Sequence, residues 1–440
     1  MKTVAFHTLG CKVNQYDSEA MLELFEAAGY APGKFNEICD VYVINTCTVT
    51  GTGDKKSLQA VRRAQRLNPA ADIIVCGCLA QRDGEKLMRE TGARVVIGNA
   101  RRNEVVSLLH QAQSENSQIC AVTDVRKTPY EPLFITRHEG KTRAVLKIQE
   151  GCDRFCAYCI IPYVRGGIRS RAVEDVTREA ACLAQAGYRE VVLTGIHLTS
   201  YGRDLKNGHT LLTVIEALHE IPGIERIRLG SLEPVIANEA FACKLSKLPK
   251  VCPQFHLALQ SGCDSVLKRM RRRYDTEAYR QSVFALRKYF PDCALTTDVL
   301  CGFPGETQEE HAQTLAFCRE MGFARMHVFP YSEREGTLAA NMPDPVPRHV
   351  REDRARELIA LGENMADAYR ESQLNTVRSV LFETEKNGRS FGYTMEYMHC
   401  EAEGNFAGQT LQVKMTGLAR DGFSGEVCEN FPKGAQHACP

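Results

Sequence analysis

Short apolar runs separated by helical stretches recur along this chain, and that alternation restricts the fold more than any other feature. Residues 4–9, 41–46, 73–78 and 95–98 are rich in consecutive apolar positions. Such runs mark strands covered on both faces, as in a parallel sheet. The intervening segments 18–28 and 55–67 predict helices. The first 125 residues therefore predict an open α/β sheet. In such sheets ligands collect beyond the carboxyl ends of the strands. Cys47 and Cys78 stand at two such ends, and Cys11 lies just past a third.

Residues 126–142 are polar and mixed and read as a linker. A second α/β series follows, with strands predicted at 144–149, 190–196, 226–230, 255–258, 294–300 and 325–329. Six strand–helix units suggest a partial (β/α)6 barrel, two units short of a complete one. The strand tips are polar or glycine-rich, as at Thr194-Gly195, Gln260-Ser261-Gly262 and 302–307, where the barrel rule places chemistry. Pro343, Pro345 and Pro347 make a stiff break before a helix over 349–371. The tail carries short alternating runs at 377–383 and 410–415 and reads as a small antiparallel β-barrel. The expectation is an α/β chain of three domains, 1–125, 138–370 and 371–440, in keeping with its 440 residues.

The 19 cysteines are an odd number in a chain with no secretory leader, and no apolar run is long enough for a membrane span. A cytoplasmic location is expected, with thiolates serving metal rather than disulfides. Cys39, Cys120, Cys182, Cys243, Cys252, Cys263, Cys293, Cys318, Cys400, Cys428 and Cys439 read as plain buried residues. The net charge of +1, from 55 basic and 54 acidic residues, points neither toward nor away from nucleic acid.

The chemistry centres on Cys152-Asp153-Arg154-Phe155-Cys156-Ala157-Tyr158-Cys159, a C-x3-C-x2-C loop just after a strand. Three thiolates in one loop can hold three corners of a 4Fe–4S cubane and leave its fourth iron open to a substrate. Soft thiolates select iron–sulfur or zinc, but structural zinc takes four ligands, and no further Cys or His follows closely.

The spacing and Tyr158 resemble the radical S-adenosylmethionine superfamily. The likeness widens to the methylthiotransferase family through Thr8-Leu9-Gly10-Cys11-Lys12-Val13-Asn14-Gln15-Tyr16-Asp17-Ser18-Glu19, Asn45-Thr46-Cys47, Gly77-Cys78-Leu79-Ala80-Gln81, Arg165-Gly166-Gly167-Ile168-Arg169-Ser170-Arg171 and Gly302-Phe303-Pro304-Gly305-Glu306-Thr307. The tail occupies the place of that family's TRAM domain. The resemblance implies two 4Fe–4S clusters, one on Cys152, Cys156 and Cys159 and one on Cys11, Cys47 and Cys78. Cys76 rivals Cys78, since strand alternation would point both to one face.

The resemblance also implies that S-adenosylmethionine binds the open iron and that Tyr158 lies against its adenine, with Glu233, Gln260 and Arg273 as further candidate contacts. Asp298 reads as a strand carboxylate serving a hydrogen bond, and His7, His197, His256 and His327 as core or site-wall residues. The implied reaction is methylthiolation by a 5′-deoxyadenosyl radical, drawing sulfur from the second cluster. Lys12-Val13-Asn14-Gln15 after Gly10-Cys11 resembles the branch acting on N6-threonylcarbamoyladenosine in tRNA, at C2 of the adenine beside the anticodon. Rival substrates are isopentenyladenosine in tRNA and a ribosomal-protein aspartate. A rival of another class is a non-catalytic iron–sulfur protein that binds RNA or passes electrons. The implied partners are the tRNA anticodon stem-loop and an electron donor such as flavodoxin or ferredoxin, while the sulfur donor stays unnamed. For RNA, residues 371–440 are unpromising, with nine acids against six bases. Cationic runs stand instead at 268–273 and at Arg62, Arg63 and Arg66.

Overall fold

A computed structural model describes residues 1–126, 128–137, 142–420 and 422–428. The predicted domain start at 138 and Cys439 lie outside the described residues. The N-terminal unit is a six-stranded parallel sheet: β1 (Thr3–Thr8), β2 (Ala31–Gly33), β3 (Val41–Thr46), β4 (Asp72–Gly77), β5 (Val95–Ile97) and β6 (Ile119–Ala121), in the order β2-β1-β3-β4-β5-β6. Its helices are α1 (Lys12–Ala27), α2 (Gly51–Leu67), α3 (Cys78–Thr91) and α4 (Val105–Ser114). Every residue of β3 is buried, as the apolar run Val41–Ile44 leads one to expect, and its polar end residues Asn45 and Thr46 are buried with it. The strand order reverses between β1 and β3, and the crevice at such a reversal is where open α/β sheets bind ligands.

The four strands read from the apolar runs are present within a residue or two. The edge strands β2 and β6 have only three residues each, too few to show a period. The strand before Cys78 ends at Gly77, whose φ of 93° turns the chain into α3. Cys78 is thus the first helical residue, and alternation does not relate it to Cys76. Cys76 packs into the core with Val43, Ile74 and Ile97.

The central unit carries β7 (Arg143–Lys147), the short pair β8 (Gln149–Glu150) and β9 (Arg169–Ser170), then β10 (Glu190–Thr194), β11 (Arg226–Leu229), β12 (Ser231–Leu232), β13 (Gln254–Leu257), β14 (Ala294–Cys301) and β15 (Arg325–Pro330). β11-β10-β7 and β12-β13-β14-β15 form two parallel sheets, joined where the chain runs from β11 into β12 and by a bridge between Ile227 and Val251. The result is the open six-unit barrel that the sequence predicted. Its helices are α5 (Ile161–Arg165), α6 (Val173–Gln185), α7 (Leu211–His219), α8 (Glu239–Ser246), α9 (Asp264–Arg269), α10 (Thr276–Tyr289), α11 (Gln308–Met321) and α12 (Arg348–Ser372). α11 starts on a reciprocal Thr307–Glu310 capping box.

Of the segment read as a linker, residues 128–137 are irregular but packed in part. Leu133 and Ile135 are buried in the central core, and Tyr16 donates to Leu133 O at 2.8 Å. Arg102 pairs with Glu131 at 2.8 Å. The tail forms a closed barrel of β16 (Val377–Lys386), β17 (Arg389–Thr394), β18 (His399–Glu403), β19 (Thr410–Ala419) and β20 (Gly422–Val427). It seats on the amino ends of the central strands, where Arg226 donates to Tyr393 O and Ser379 O and Arg228 to Met395 O, at 2.8–2.9 Å.

Candidate active site

Cys11, Cys47 and Cys78 follow β1, β3 and β4, three adjacent strands, and Cys11 and Cys47 flank the topological reversal. Gly10 is required for this approach. Its φ is 105°, and a Cβ there would lie 3.1 Å from Cys47 Cβ and 3.2 Å from Cys47 Sγ. Asn14 ties the loops together, donating to Leu9 O at 2.7 Å and Thr46 O at 2.9 Å. Cys78 Sγ accepts from Arg165 Nε at 3.2 Å and from Asn99 Nδ2 at 3.6 Å. Burial pushes the Cys47 thiol up to about 11, and the nearby Cys78 and Cys11 sulfurs add to the rise. Burial also raises Cys78, against the pull of the Arg165 cation.

Cys152, Cys156 and Cys159 lie in the loop between β8 and α5. Cys152 Sγ accepts from Arg154 N at 3.5 Å, and Cys159 N donates to Cys156 O at 2.9 Å. Cys156 Sγ accepts from Arg272 Nη1 at 3.1 Å. Burial raises Cys152 to about 11 and Cys159 to about 12, with the neighbouring sulfurs reinforcing it. Two such thiols that resist ionisation, Cys152 and Cys159, suit a ligand whose positive charge takes the place of their protons.

No disulfide joins any described cysteine. Among the described residues, no three His, Cys, Asp or Glu side chains converge where one metal ion could sit. A cubane asks for something else, because each thiolate takes its own iron and the sulfurs stand around the cluster. In donor chemistry and placement both triads fit such a group.

The five-residue helix α5 stands between the triads. It begins two residues after Cys159, and its last residue is Arg165, the donor to Cys78. At 1.5 Å per residue its length is about 7–8 Å. Ile160 and Val164 pack on Cys78 and give it a hydrocarbon wall. Arg165 Nη1 also reaches Glu150 Oε1 at 2.6 Å, and Nη2 reaches Asn14 Oδ1. Glu150 joins a buried ion network with Arg102 and Lys147, both of which hold Asp17. This network fixes the N-terminal sheet against the partial barrel.

Around the first triad the predicted contact residues divide. Glu233 is buried, with Oε2 at 2.6 Å from Arg154 Nη2 and 3.4 Å from His197 Nε2. Neither contact has hydrogen-bond geometry, so Glu233 Oε2, Arg154 Nε and His197 Nε2 stay buried without a hydrogen bond among the described residues. Unsatisfied groups of both polarities fit a ligand carrying amino, carboxylate and hydroxyl groups. Tyr158 packs with Ala157, Met270, Phe303 and Tyr331. Gln260, three residues past β13, adopts φ 67°, its backbone N–H donating to Asp298 O at 2.8 Å.

Arg273 is exposed, and its contact is Asp153 O at 3.5 Å. Its neighbour Arg272 turns inward instead, to Cys156, to Tyr274 OH at 3.0 Å and to Glu233 at 3.7 Å. Arg271, between α9 and α10, takes a left-handed φ of 57°, which sets the facing of the residues after it. Arg154, Arg165 and Arg272 were not singled out from sequence, although Arg154 and Arg165 lie within the quoted motifs. His7 lies away from the site against Phe35, at 4.6 Å between ring centroids.

Both regions of the chain match known proteins. Residues 3–98, which hold Cys11, Cys47 and Cys78, match the model described as uncharacterized protein family UPF0004. Residues 146–318, which hold the second loop, match the radical SAM superfamily. The threonylcarbamoyladenosine tRNA methylthiotransferase MtaB of Bacillus subtilis is 43% identical over 423 residues, covering 94% of each chain. Its namesake in Aquifex aeolicus is 36% identical, covering 87% of this chain and 93% of its own. The tRNA-2-methylthio-N(6)-dimethylallyladenosine synthase of Acidothermus cellulolyticus is 36% identical, covering 88% of this chain and 78% of its own. Among solved structures, the radical S-adenosylmethionine methyltransferase TsrM of Kitasatospora setae superposes with a TM-score of 0.55 at 15% identity, covering 77% of each chain, a likeness of fold. With both matched regions present in order and relatives aligned along nearly its whole length, this chain belongs to the radical S-adenosylmethionine methylthiotransferase family.

Proposed function

We propose that this enzyme methylthiolates C2 of N6-threonylcarbamoyladenosine in tRNA, beside the anticodon, with two 4Fe–4S clusters and S-adenosylmethionine. The observation that carries this reading is the pair of thiol triads on either side of α5, with Arg165 reaching from one side to the other. The first four relatives carry threonylcarbamoyladenosine in their names, at 33–43% identity.

When bound, the groups supply one-electron cleavage of S-adenosylmethionine at Cys152, Cys156 and Cys159 and a source of sulfur at Cys11, Cys47 and Cys78. The chain's own residues bind, orient and shield. Glu233, Arg154 and His197 present polar atoms for the methionyl and ribosyl groups, and the Tyr158 wall takes the adenine. Arg272 holds Cys156, and Arg165 holds Cys78. Ile160 and Val164 exclude water from the space between the triads, where a carbon radical must meet sulfur before solvent quenches it. An unpaired anticodon-loop base can be turned out of its stack to reach that space.

The test is mass spectrometry of tRNA nucleosides from a strain lacking the gene. The 2-methylthio form of threonylcarbamoyladenosine should disappear and its unmodified parent accumulate. Loss of the methylthiolated dimethylallyl nucleoside instead would assign the chain to the sister substrate.

A further inference from the structure

The strands β14 and β15 have two distinct faces. Leu295, Val299 and Cys301 of β14 are buried in the central core. Met326 and Val328 of β15 pack against the same core, Met326 close over Gly362 of α12. The alternate positions therefore face the interior of the partial barrel. On β14 these are Thr296, Asp298 and Leu300, all three only partly buried. The parallel register sets Arg325, His327 and Phe329 of the edge strand β15 beside them, residue for residue.

Both rows run up to the first cysteine loop. Leu300 packs in one cluster with Ala157 and Tyr158, and so does Tyr331, two residues past Phe329. Below the loop the wall presents one apolar step and then two polar ones. Phe329 is a large ring left 48% exposed. Asp298 and His327 stand side by side beneath it. His256 of β13 joins them, with Nε2 3.4 Å from Asp298 Oδ2 and Nδ1 3.0 Å from Thr296 Oγ1. The two histidine rings lie 6.1 Å apart between centroids. The last step is Arg325, which is exposed. Among the described residues neither the His327 ring nor the Arg325 guanidinium has a hydrogen bond or an ion pair.

This order of surfaces suits a modified adenosine with a polar, anionic N6 substituent. A purine turned out of its stack can lie on the Phe329 ring. A carbamoyl group offers an N–H to the Asp298 carboxylate and an oxygen to His327. Two residues along a strand, about 6–7 Å further, Arg325 offers a planar cation to a terminal carboxylate. A dimethylallyl group would take water from His327, Asp298 and Arg325 and return no hydrogen bond. C2 and C6 of adenine flank N1, so a group that reads the N6 substituent belongs within one base of the reacting carbon.

We propose that the interior row of β15 is the subsite that reads the N6 substituent, Arg325 pairing with the threonyl carboxylate and His327 with Asp298 holding the carbamoyl group. This rests on the substrate reading above and deepens it.

The test is equilibrium binding, on holoenzyme matched for iron content, of anticodon hairpins carrying threonylcarbamoyladenosine, its neutral methyl ester, or dimethylallyladenosine. Wild type should hold the free acid tighter than the ester by on the order of tenfold to a hundredfold. Arg325→Met should hold acid and ester alike, and Arg325→Lys should recover part of the preference. His327→Phe should lose about tenfold of the preference for the threonylcarbamoyl over the dimethylallyl hairpin. Equal affinity of wild type for acid and ester, a preference that survives in Arg325→Met, or unchanged discrimination in His327→Phe overturns the proposal. Each result is a ratio of two ligands on one chain, so partial loss of folded protein in a variant does not alter it. Turnover separates the subsite from the substrate reading. Methylthiolation of the dimethylallyl hairpin alone would sink that reading, whereas methylthiolation of the threonylcarbamoyl hairpin together with any of the overturning results would sink only the subsite.

Discussion

Arg165 Nε donates to Cys78 Sγ at 3.2 Å while Nη1 of the same guanidinium holds Glu150 Oε1 at 2.6 Å. The thiol belongs to the N-terminal unit, at the start of α3, and the arginine to the helix that leaves the other cysteine loop. One side chain therefore sets both the spacing of the two triads and the seating of the two units. Burial opposes the charge on Arg165, but Cys78, Glu150, Cys11 and Asp17 outweigh it and hold the guanidinium firmly protonated.

Arg165→Gln removes a buried cation from this network. Breaking a buried pair costs about 3–5 kcal/mol, and because Lys147 and Arg102 remain beside Glu150 the loss should fall at the low end. Urea denaturation of the apoprotein reads it directly. An unchanged midpoint would contradict the role given to Arg165.

Glu150 makes the interface sensitive to acid. Burial alone would raise its carboxyl, but Arg165, Lys147 and Arg102 hold it well below the usual carboxylate range. A pKa depressed in the folded state gives stability that is present above the unfolded value, about 4.3, and lost as pH falls through the folded value. Stability measured from neutral pH downward should decline more steeply in wild type than in Glu150→Gln. Equal slopes would contradict the network.

Arg272 is placed to tune the first site. Its donation to Cys156 Sγ at 3.1 Å and its positive charge both favour added electron density on a cluster there. Arg272→Met should shift the midpoint of that cluster to more negative potential in a redox titration followed by electron paramagnetic resonance, and Arg272→Lys should shift it less. An unmoved midpoint in both variants would remove Arg272 from the site.

Most of the scaffold was legible because parallel strands are buried on both faces and announce themselves as apolar runs. The C-x3-C-x2-C loop was legible because its ligands are local. Contacts that bring distant segments together were not. Nothing near Arg165 announces a partner 87 residues away, and nothing near Arg272 announces one 116 residues away. The choice of Arg273 over Arg272 turned on the left-handed residue at Arg271, which the surrounding run of arginines does not reveal. The segment after β6 looked like a linker because it is polar, yet Leu133 and Ile135 suffice to anchor residues 128–137 on the core.

The barrel at the carboxyl end of the chain should be integral to the fold. Arg228 is fully buried, bonded to Glu190 at 2.6 Å and to Met395 O at 2.8 Å. Arg228→Ala strands part of that carboxylate and a barrel carbonyl together, and should cost about 3–5 kcal/mol in urea denaturation. A loss under about 1 kcal/mol would mean that the barrel is only loosely seated.

The central claim is that this chain holds two clusters, one on each side of α5. Iron bound by anaerobically reconstituted protein tests it most directly. The account predicts about eight irons per wild-type chain, and about four in each of two triple variants, Cys11, Cys47 and Cys78→Ala and Cys152, Cys156 and Cys159→Ala. About four irons in wild type, or a count left unchanged by the first triple variant, would contradict it.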